Sequence, residues 1–309
     1  MIATFRFASP IPGTLCDSGS VPAQRDCWAE WLATRRYGDD TEMRRKGLEQ
    51  VARWRDSVLD NARLTDGETL LDVGCGEGLI GFEALERGVE SVIFSDISSD
   101  LLEFCREAAT DLGVLDQCRF VHASAHDLTP IDDGSVDAVT TRSVLIYVAD
   151  KESAFREFAR VLRSGGRISL FEPINRFAGQ GVDTWMGYDL SAVAHISREL
   201  RAVYDAIQPP DTDPMLDFDE RDLLVLAEQS GFVPIQVQLD AEIRPSDPQH
   251  WETFISRAGN PRIPTFAEAM DQVLSPEERK RLTEHLRPLV EEGRGMWRMA
   301  NALLYAVKP

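Results

Sequence analysis

The chain has 309 residues, and none of its apolar runs approaches the ~18–20 residues of a membrane span. Its 33 Lys and Arg against 52 Asp and Glu give a net charge of −19, which disfavours a nucleic-acid partner. The first residues lack a secretory apolar core, and the five widely spaced cysteines show neither a paired framework nor metal-ligand spacing. We therefore expect a cytoplasmic protein without a metal site.

The sequence of residues 1–64 predicts a helical segment that lies outside the main domain. In residues 41–64 the apolar side chains recur at helical spacing and form one face suited to docking. We expect this segment, which includes Arg36 and Tyr37, to act as a lid over a ligand site. The apolar positions that define the face are Met43, Leu48, Val51, Trp54, Val58 and Leu59.

From residue 65 the chain alternates strands and helices of similar length. This rhythm is typical of parallel strands joined by right-handed crossovers, that is, an α/β doubly wound sheet. The predicted strands are 68–74, 89–96, 117–123, 135–141 and 166–173, and the predicted helices are 77–88, 98–114 and 150–166.

After residue 173 two helical inserts interrupt the pattern, at about 175–218 and 244–294. Between them a helix and a strand resume the sheet, and an apolar strand ends the chain. In the second insert Thr265 and Ser275 each precede a Glu by three residues, the signature of a capping box. We therefore expect residues 65–309 to form a Rossmann-like, mostly parallel seven-stranded sheet, with the inserts as part of a lid.

Residues 70–81 read LLDVGCGEGLIG, a glycine-rich loop between a strand and a helix. Such loops let backbone N–H groups approach a ligand closely. A dinucleotide fingerprint requires a glycine where this chain has Leu79. Asp96, at the end of the second strand, is suited to accept ribose hydroxyls, as in NAD sites and other adenosine sites. A helix-capping role near Ser98 is the alternative for Asp96, and an NAD(P)-dependent oxidoreductase stays open here.

The run LLDVGCGEG…FSDIS…VHASAHDL…GSVDAVTTRSVLIYV…EFARVLRSGGRISLFEP resembles the class I S-adenosylmethionine-dependent methyltransferases. It is most similar to the small-molecule group that includes the quinone-biosynthesis and arsenite methyltransferases. The resemblance covers about residues 65–240. It implies S-adenosylmethionine as the cofactor, S-adenosylhomocysteine as its product and methyl transfer to a small acceptor.

The resemblance also implies the cofactor contacts. Asp72 and the glycine-loop backbone would hold the methionine end, Asp96 the ribose, and Ile97 the adenine face. This chain has Ser124 where many relatives have Asp, so we expect Asp127 or water to share the contact to the adenine amino group. With Tyr37, which is expected from its place in the N-terminal lid segment and not from the resemblance, the full expected set is Asp72, Gly74, Gly76, Gly78, Asp96, Ile97, Ser124, Ala125, Arg142 and Tyr37.

Acceptor residues are expected at the carboxyl ends of the later strands and in the first insert. In-line methyl transfer depends chiefly on orientation, worth ~7–11 kcal/mol, and needs a general base only for a protonated acceptor. Packing roles are equally open for Tyr147 and Glu172, and a surface or core role is favoured for His195. The candidate catalytic residues are Tyr147, Glu172 and His195, and the candidate acceptor-binding residues are Asn175, Trp185, Met186 and Tyr188.

The expected partner is a small, partly apolar organic molecule, with no nucleic acid and no membrane. A homodimer is left open by the sequence. Two other functions compete with methyl transfer: the oxidoreductase named above, and a protein that binds S-adenosylmethionine without transferring its methyl group.

Overall fold

The computed structural model describes residues 25–37, 41–178 and 184–309, with the side chain of Trp185 excepted. Residues 1–24, the first part of the expected lid segment, lie outside this description. The strands in chain order are β1 (Thr69–Val73), β2 (Ser91–Asp96), β3 (Cys118–His122), β4 (Val136–Arg142), β5 (Leu162–Pro173), β6 (Thr184–Trp185), β7 (Tyr188–Asp189), β8 (Ile235–Pro245) and β9 (Met296–Val307).

Seven of these strands form one sheet in the order β3-β2-β1-β4-β5-β9-β8. The pairs among β1 to β5 are parallel, whereas β9 pairs antiparallel with both β5 and β8. The carboxyl ends of β1, β2, β4 and β5 therefore meet at one edge. The predicted Rossmann-like, mostly parallel seven-stranded sheet is confirmed.

Ten α-helices flank the sheet or build the inserts in the described residues. Side chains accept hydrogen bonds from first-turn amides at both capping boxes predicted in the second insert, at Thr265 and Ser275. In chain order the helices are α1 (Cys27–Glu30), α2 (Thr41–Ala62), α3 (Leu79–Glu86), α4 (Ser99–Asp111), α5 (Lys151–Val161), α6 (Ala194–Ile207), α7 (Glu220–Gln229), α8 (Trp251–Ser256), α9 (Phe266–Val273) and α10 (Pro276–Glu291).

One predicted helix is too long. The sequence pattern predicts a helix over residues 150–166, but α5 ends at Val161 and residues 162–166 belong to β5. The backbone N–H of Gly165 donates to the carbonyl of Lys308, and the N–H of Lys308 donates to the carbonyl of Gly166, both at 2.8 Å. These bonds to the end of the chain replace the last helical turn, a tertiary effect that local propensity does not contain.

The N-terminal segment and the two inserts pack around the sheet's site edge. A π-helical turn, Trp31–Arg35, continues α1, and α2 packs on the sheet with Trp54 stacked on Phe171 at 4.9 Å between ring centroids. The two inserts share one apolar core, so each covers the other's buried face. In the described part of the chain no helix is long and apolar enough to cross a membrane. The division of the chain at residue 64 stays a prediction.

Candidate active site

The glycine loop after β1 has three residues in the left-handed backbone region, Gly74, Gly76 and Gly78. A Cβ at Gly74 would overlap the side chain of Val144, and one at Gly78 would overlap Phe82. A Cβ at Gly76 would meet nothing within 4 Å. Two glycines therefore permit close packing of the protein on itself, and Gly76 leaves space for a ligand.

Asp72 lies beneath this loop. Its Oδ2 accepts a hydrogen bond from the backbone N–H of Gly81, and its Oδ1 accepts one from the hydroxyl of Thr140, both at 3.2 Å. The side chain is buried, and burial raises the pKa of Asp72 to about 7. Asp72 does not line the cavity, so the expected contact with the methionine end is corrected to support of the loop from below.

Asp96 joins the glycine loop to the end of β2. Its Oδ2 accepts from the N–H of Gly76 and its Oδ1 from the N–H of Ser98, both at 2.9 Å, and the side chain lines the cavity. Burial raises the pKa of Asp96. The cap of α4 is the hydroxyl of Ser98, which accepts from Leu101. The capping alternative for Asp96 is therefore wrong.

The next wall of the cavity contains Ile97, Ser124, Ala125 and a residue outside the expected set, His126. Ile97 is 47% exposed, unusual for an apolar side chain beside a sheet. The Ser124 hydroxyl lies 2.8 Å from Nδ1 of His126. Asp127 instead accepts from the backbone and hydroxyl of Thr129 and is absent from the cavity wall, so the expectation that it shares the adenine contact is wrong.

These residues line a cavity of about 770 Å³. Its lining also includes six aromatic side chains, here called the aromatic wall, four of which come from the N-terminal segment. Tyr37, which the sequence analysis expected in the site, is one of them. Trp28 and Trp31 were not predicted to line the site, although two tryptophans three residues apart shortly before α2 could have indicated an aromatic surface. The aromatic lining residues are Trp28, Trp31, Tyr37, Trp54, Tyr147 and Trp297.

The cavity is closed by contacts between the N-terminal segment and the second insert. The indole Nε1 of Trp31 donates to the carbonyl of Ala258 at 2.8 Å, and the N–H of Ala258 donates to the carbonyl of Arg35 at 3.1 Å. Nε of Arg257 donates to the carbonyl of Arg36 at 3.2 Å. The N-terminal segment and residues near 257–262 therefore meet over the cavity, and the first insert contributes Asn175 and Met215 to its lining.

Tyr147, Arg142 and Asn175 line the cavity, as the sequence suggested. Burial raises the pKa of Tyr147 to about 12. Its hydroxyl is therefore protonated at neutral pH and can donate a hydrogen bond, but it cannot accept a proton as a base. Nδ2 of Asn175 donates to the carbonyl of Met215 at 3.2 Å.

Glu172 is fully buried and does not line the cavity. Its Oε1 accepts from the hydroxyl of Thr141 at 2.8 Å and from the N–H of Val144 at 3.1 Å. Between these two residues Ser143 has a φ of 60°, a left-handed conformation that is uncommon outside glycine. The catalytic expectation for Glu172 is corrected: its carboxyl group holds the strained turn after β4.

The other acceptor candidates lie away from the cavity. His195 is exposed on α6, and Met186 is 60% exposed in the turn between β6 and β7. Tyr188 is 2% exposed, with its ring against Phe254 in the shared core of the inserts. The backbone of Trp185 pairs with Tyr188, and its side chain lies outside the described residues.

The expected roles of His195, Met186 and Tyr188 are therefore corrected. The first insert uses its apolar residues to pack on the second, and the second insert supplies the cavity residues Arg257 and Arg262. Nothing in the local sequence around Arg262 signals this role, because its position depends on how two distant helical segments pack.

Burial of Glu172 predicts a pH-dependent stability. Burial raises its pKa from 4.5 to about 7. The folded state therefore binds more protons than the unfolded state between these values, and stability falls as pH rises through that window, by roughly 3 kcal/mol at most for this group. We expect Glu172→Gln to flatten the decline in unfolding free energy between pH 5 and 8 in denaturant titrations.

The exposed Glu199 on α6 provides the control. Glu199→Gln should keep the slope of the unmodified protein. An unchanged slope for Glu172→Gln would contradict the assignment of a buried, proton-binding carboxyl group.

Three comparisons with known proteins place this geometry in a family. A family model described as "Methyltransferase domain" matches residues 71–170. The ubiquinone/menaquinone biosynthesis C-methyltransferase UbiE of Hahella chejuensis is 30% identical over 187 residues, covering 58% of this chain and 72% of that protein. The UbiE protein of Citrobacter koseri is 30% identical over 172 residues, covering 52% of this chain and 68% of that protein.

Solved structures agree on the fold. The YcgJ protein of Bacillus subtilis superposes with a TM-score of 0.50 at 18% identity, covering 82% of this chain and 98% of that one. The phosphoethanolamine N-methyltransferase 2 of Haemonchus contortus, in complex with S-adenosylhomocysteine, gives 0.50 at 15% identity, covering 83% of this chain and 52% of that one. The oxidoreductase alternative finds no support in these comparisons. The chain belongs to the class I S-adenosylmethionine-dependent methyltransferases, and S-adenosylmethionine is its methyl donor.

Proposed function

We propose that the chain methylates a small, partly apolar organic molecule held between the glycine loop and the aromatic wall. The observation that carries this proposal is the continuity of the cavity: Gly76 and Asp96 line the same 770 Å³ space as Trp31 and Trp54. Its volume falls in the range of about 300–1,000 Å³ typical of small-molecule sites. The curated relatives are named as C-methyltransferases of ubiquinone and menaquinone biosynthesis, which supports an organic acceptor.

The residues present fit the donor. We propose that Asp96 holds the ribose hydroxyls and Ile97 packs on the adenine, with Ser124, Ala125 and His126 at its edge. The open space at Gly76 and the backbone near Arg142 would take the methionine portion. When bound, S-adenosylmethionine would supply a methyl group to an electron pair of the acceptor, with the electrons of the broken carbon–sulfur bond staying on sulfur.

The protein's own contribution is orientation and exclusion of water. The aromatic residues of the wall present flat apolar surfaces against which an acceptor can be aligned. Tyr147 can donate a hydrogen bond to an acceptor oxygen. Among the described lining residues the only carboxylate is Asp96, which is on the cofactor side, so the acceptor is not expected to lose its proton to a carboxylate base.

We further propose that the lid opens and closes around the ligands and that the protein acts in the cytoplasm. The lid contacts are few hydrogen bonds between separate segments, such as Trp31 to Ala258, which is typical of elements with low local stability.

Replacement of Gly76 tests the cofactor site. Gly76 has a φ of 54° and Gly113, in a turn far along the chain, has a φ of 71°; a Cβ at either position would meet no atom within 4 Å. Gly76→Ala and Gly113→Ala should each lower the unfolding free energy by about 1–2 kcal/mol, the strain of a left-handed alanine. Calorimetry should show that Gly76→Ala binds S-adenosylhomocysteine at least tenfold more weakly than the unmodified protein, whereas Gly113→Ala binds it with unchanged affinity. Equal affinity in both variants would argue against a ligand at Gly76.

The bond from Trp31 tests the lid. Trp31→Phe removes the indole donor but keeps an aromatic ring, a loss of about 1 kcal/mol. With S-adenosylhomocysteine bound, we expect tryptic cleavage after Arg35 and Arg36 to be about fivefold faster than in the unmodified protein. Ser135→Ala removes a hydroxyl that donates to the carbonyl of Asp132 at 2.7 Å outside the cavity wall; it is the control and should leave that rate unchanged. Equal cleavage of Trp31→Phe and the unmodified protein would contradict the closure role.

The acceptor class is tested by activity. The protein is incubated with methyl-labelled S-adenosylmethionine and a fractionated metabolite extract. Label should appear in a small, organic-extractable product, with equal release of S-adenosylhomocysteine. Binding of S-adenosylhomocysteine without any labelled small molecule would favour the competing function, cofactor binding without methyl transfer.

A further inference from the structure

The side chains that line the cavity are mostly positively charged, whereas the protein as a whole is negatively charged. The chain carries a net charge of −19, yet four arginines and a single carboxylate, Asp96, line the cavity. Asp96 already accepts two backbone hydrogen bonds on the cofactor side. A cleft lined by one sign of charge concentrates ligands of the opposite sign. The four arginines are Arg36, Arg142, Arg257 and Arg262.

Three of these cations have no ion pair within the described residues. The guanidinium carbon of Arg36 lies 5.4 Å from the ring centroid of Trp31 and 5.1 Å from that of Tyr37. The guanidinium carbon of Arg262 lies 5.8 Å from the ring centroid of Tyr147. Contact with ring faces leaves the N–H donors of an arginine available for a ligand, because the donors lie in the guanidinium plane.

Arg142 adds to the same field. Burial, followed by the neighbouring charge of Arg36, lowers the pKa of Arg142 to about 10, so the group is still a cation at neutral pH. The charges of Arg36, Arg142 and Arg262 each act to lower the pKa of Tyr147, so all three lie near its hydroxyl. The carboxyl groups of Asp72 and Glu77 offset part of the charge of Arg142, and Glu77 also acts on Arg36, but in the described part of the chain neither carboxyl group forms an ion pair with these arginines or lines the cavity. Removing cations from water without a directly paired counter-ion is costly, and a bound anion relieves that cost.

The methyl donor does not neutralise this charge. S-adenosylmethionine has a sulfonium, an ammonium and one carboxylate, and is therefore itself a net cation. If its carboxylate pairs with one arginine, at least two of the three are still without an ion pair within the described residues. The excess of positive charge persists in the donor complex and faces the acceptor.

We propose that the acceptor carries an anionic oxyacid group, a carboxylate or a phosphate, which Arg36 and Arg262 bind beside Tyr147. This inference rests on the proposed function and names the chemical class of its substrate. Arginine binds both groups through paired N–H donors, and Trp28 and Trp31 offer apolar contact to the rest of the molecule. An amine acceptor would meet like charges and is disfavoured.

Four naphthalene probes of matched shape test the charge requirement. 2-Naphthoate and 2-naphthyl phosphate are anions, 2-naphthamide is neutral and 2-naphthylmethylammonium is a cation. Each is titrated by calorimetry into the protein saturated with S-adenosylhomocysteine. At least one anion should bind tenfold or more tightly than the amide, and the preferred anion distinguishes a carboxylate from a phosphate. Amide or ammonium binding as tight as that of both anions would overturn the proposal.

Variants locate the effect. Arg36→Gln and Arg262→Gln should each weaken binding of the preferred anion at least fivefold and leave the amide unchanged, and Arg262→Lys should recover part of the loss. Arg221→Gln removes an arginine whose side chain is 85% exposed on α7 and does not line the cavity, and should have no effect. An anion preference that persists unchanged in both glutamine variants would also overturn the proposal.

The outcomes separate this inference from the proposed function. If S-adenosylhomocysteine binds and the extract assay yields a labelled product but anions are not preferred, only the anionic acceptor is wrong. If S-adenosylhomocysteine does not bind, the proposed function fails and the inference fails with it.

Discussion

The carboxylate of Asp96 joins the parts of the site that otherwise belong to separate elements. It accepts hydrogen bonds at 2.9 Å from Gly76 in the glycine loop and from Ser98 before α4. The Ser98 hydroxyl in turn donates to Asp26 at 2.6 Å, and Asp26 caps α1 of the lid segment. The cofactor loop, the ribose-side carboxylate and the N-terminal segment are thus connected through a few short polar contacts. A ligand that contacts Asp96 would therefore lie directly beside the N-terminal segment.

The cofactor half of the site could be predicted from the sequence because its determinants are local. A strand, a glycine loop and the start of a helix occupy residues 70–81. Asp96 could be predicted as a site residue because it is the last residue of the next strand. Strands of a parallel sheet carry their carboxyl ends to one edge, so sequence order translates into spatial proximity. The exceptions are also local in cause: Asp72 points beneath the loop, and Asp127 turns back to Thr129.

The acceptor half could not be predicted, because its residues come from segments far apart in the chain. The sequence pattern predicted a helical insert at about 175–218, but the apolar residues of a helix serve the packing of one insert on another as well as they serve a substrate wall. Tyr188 is in that packed core and His195 is on its outer surface. Arg262 reaches Tyr147 only because the second insert docks on the N-terminal segment, an arrangement that no short stretch of sequence encodes.

The central claim is that one cavity holds the methyl donor and its acceptor, with the aromatic wall and the arginines on the acceptor side. A crystal structure with S-adenosylhomocysteine bound tests it most directly. The account predicts the ribose hydroxyls on Asp96 and the sulfur facing open space beside Tyr147 and Trp31. The ligand bound outside this cavity, or its sulfur directed away from the aromatic wall, would contradict the account.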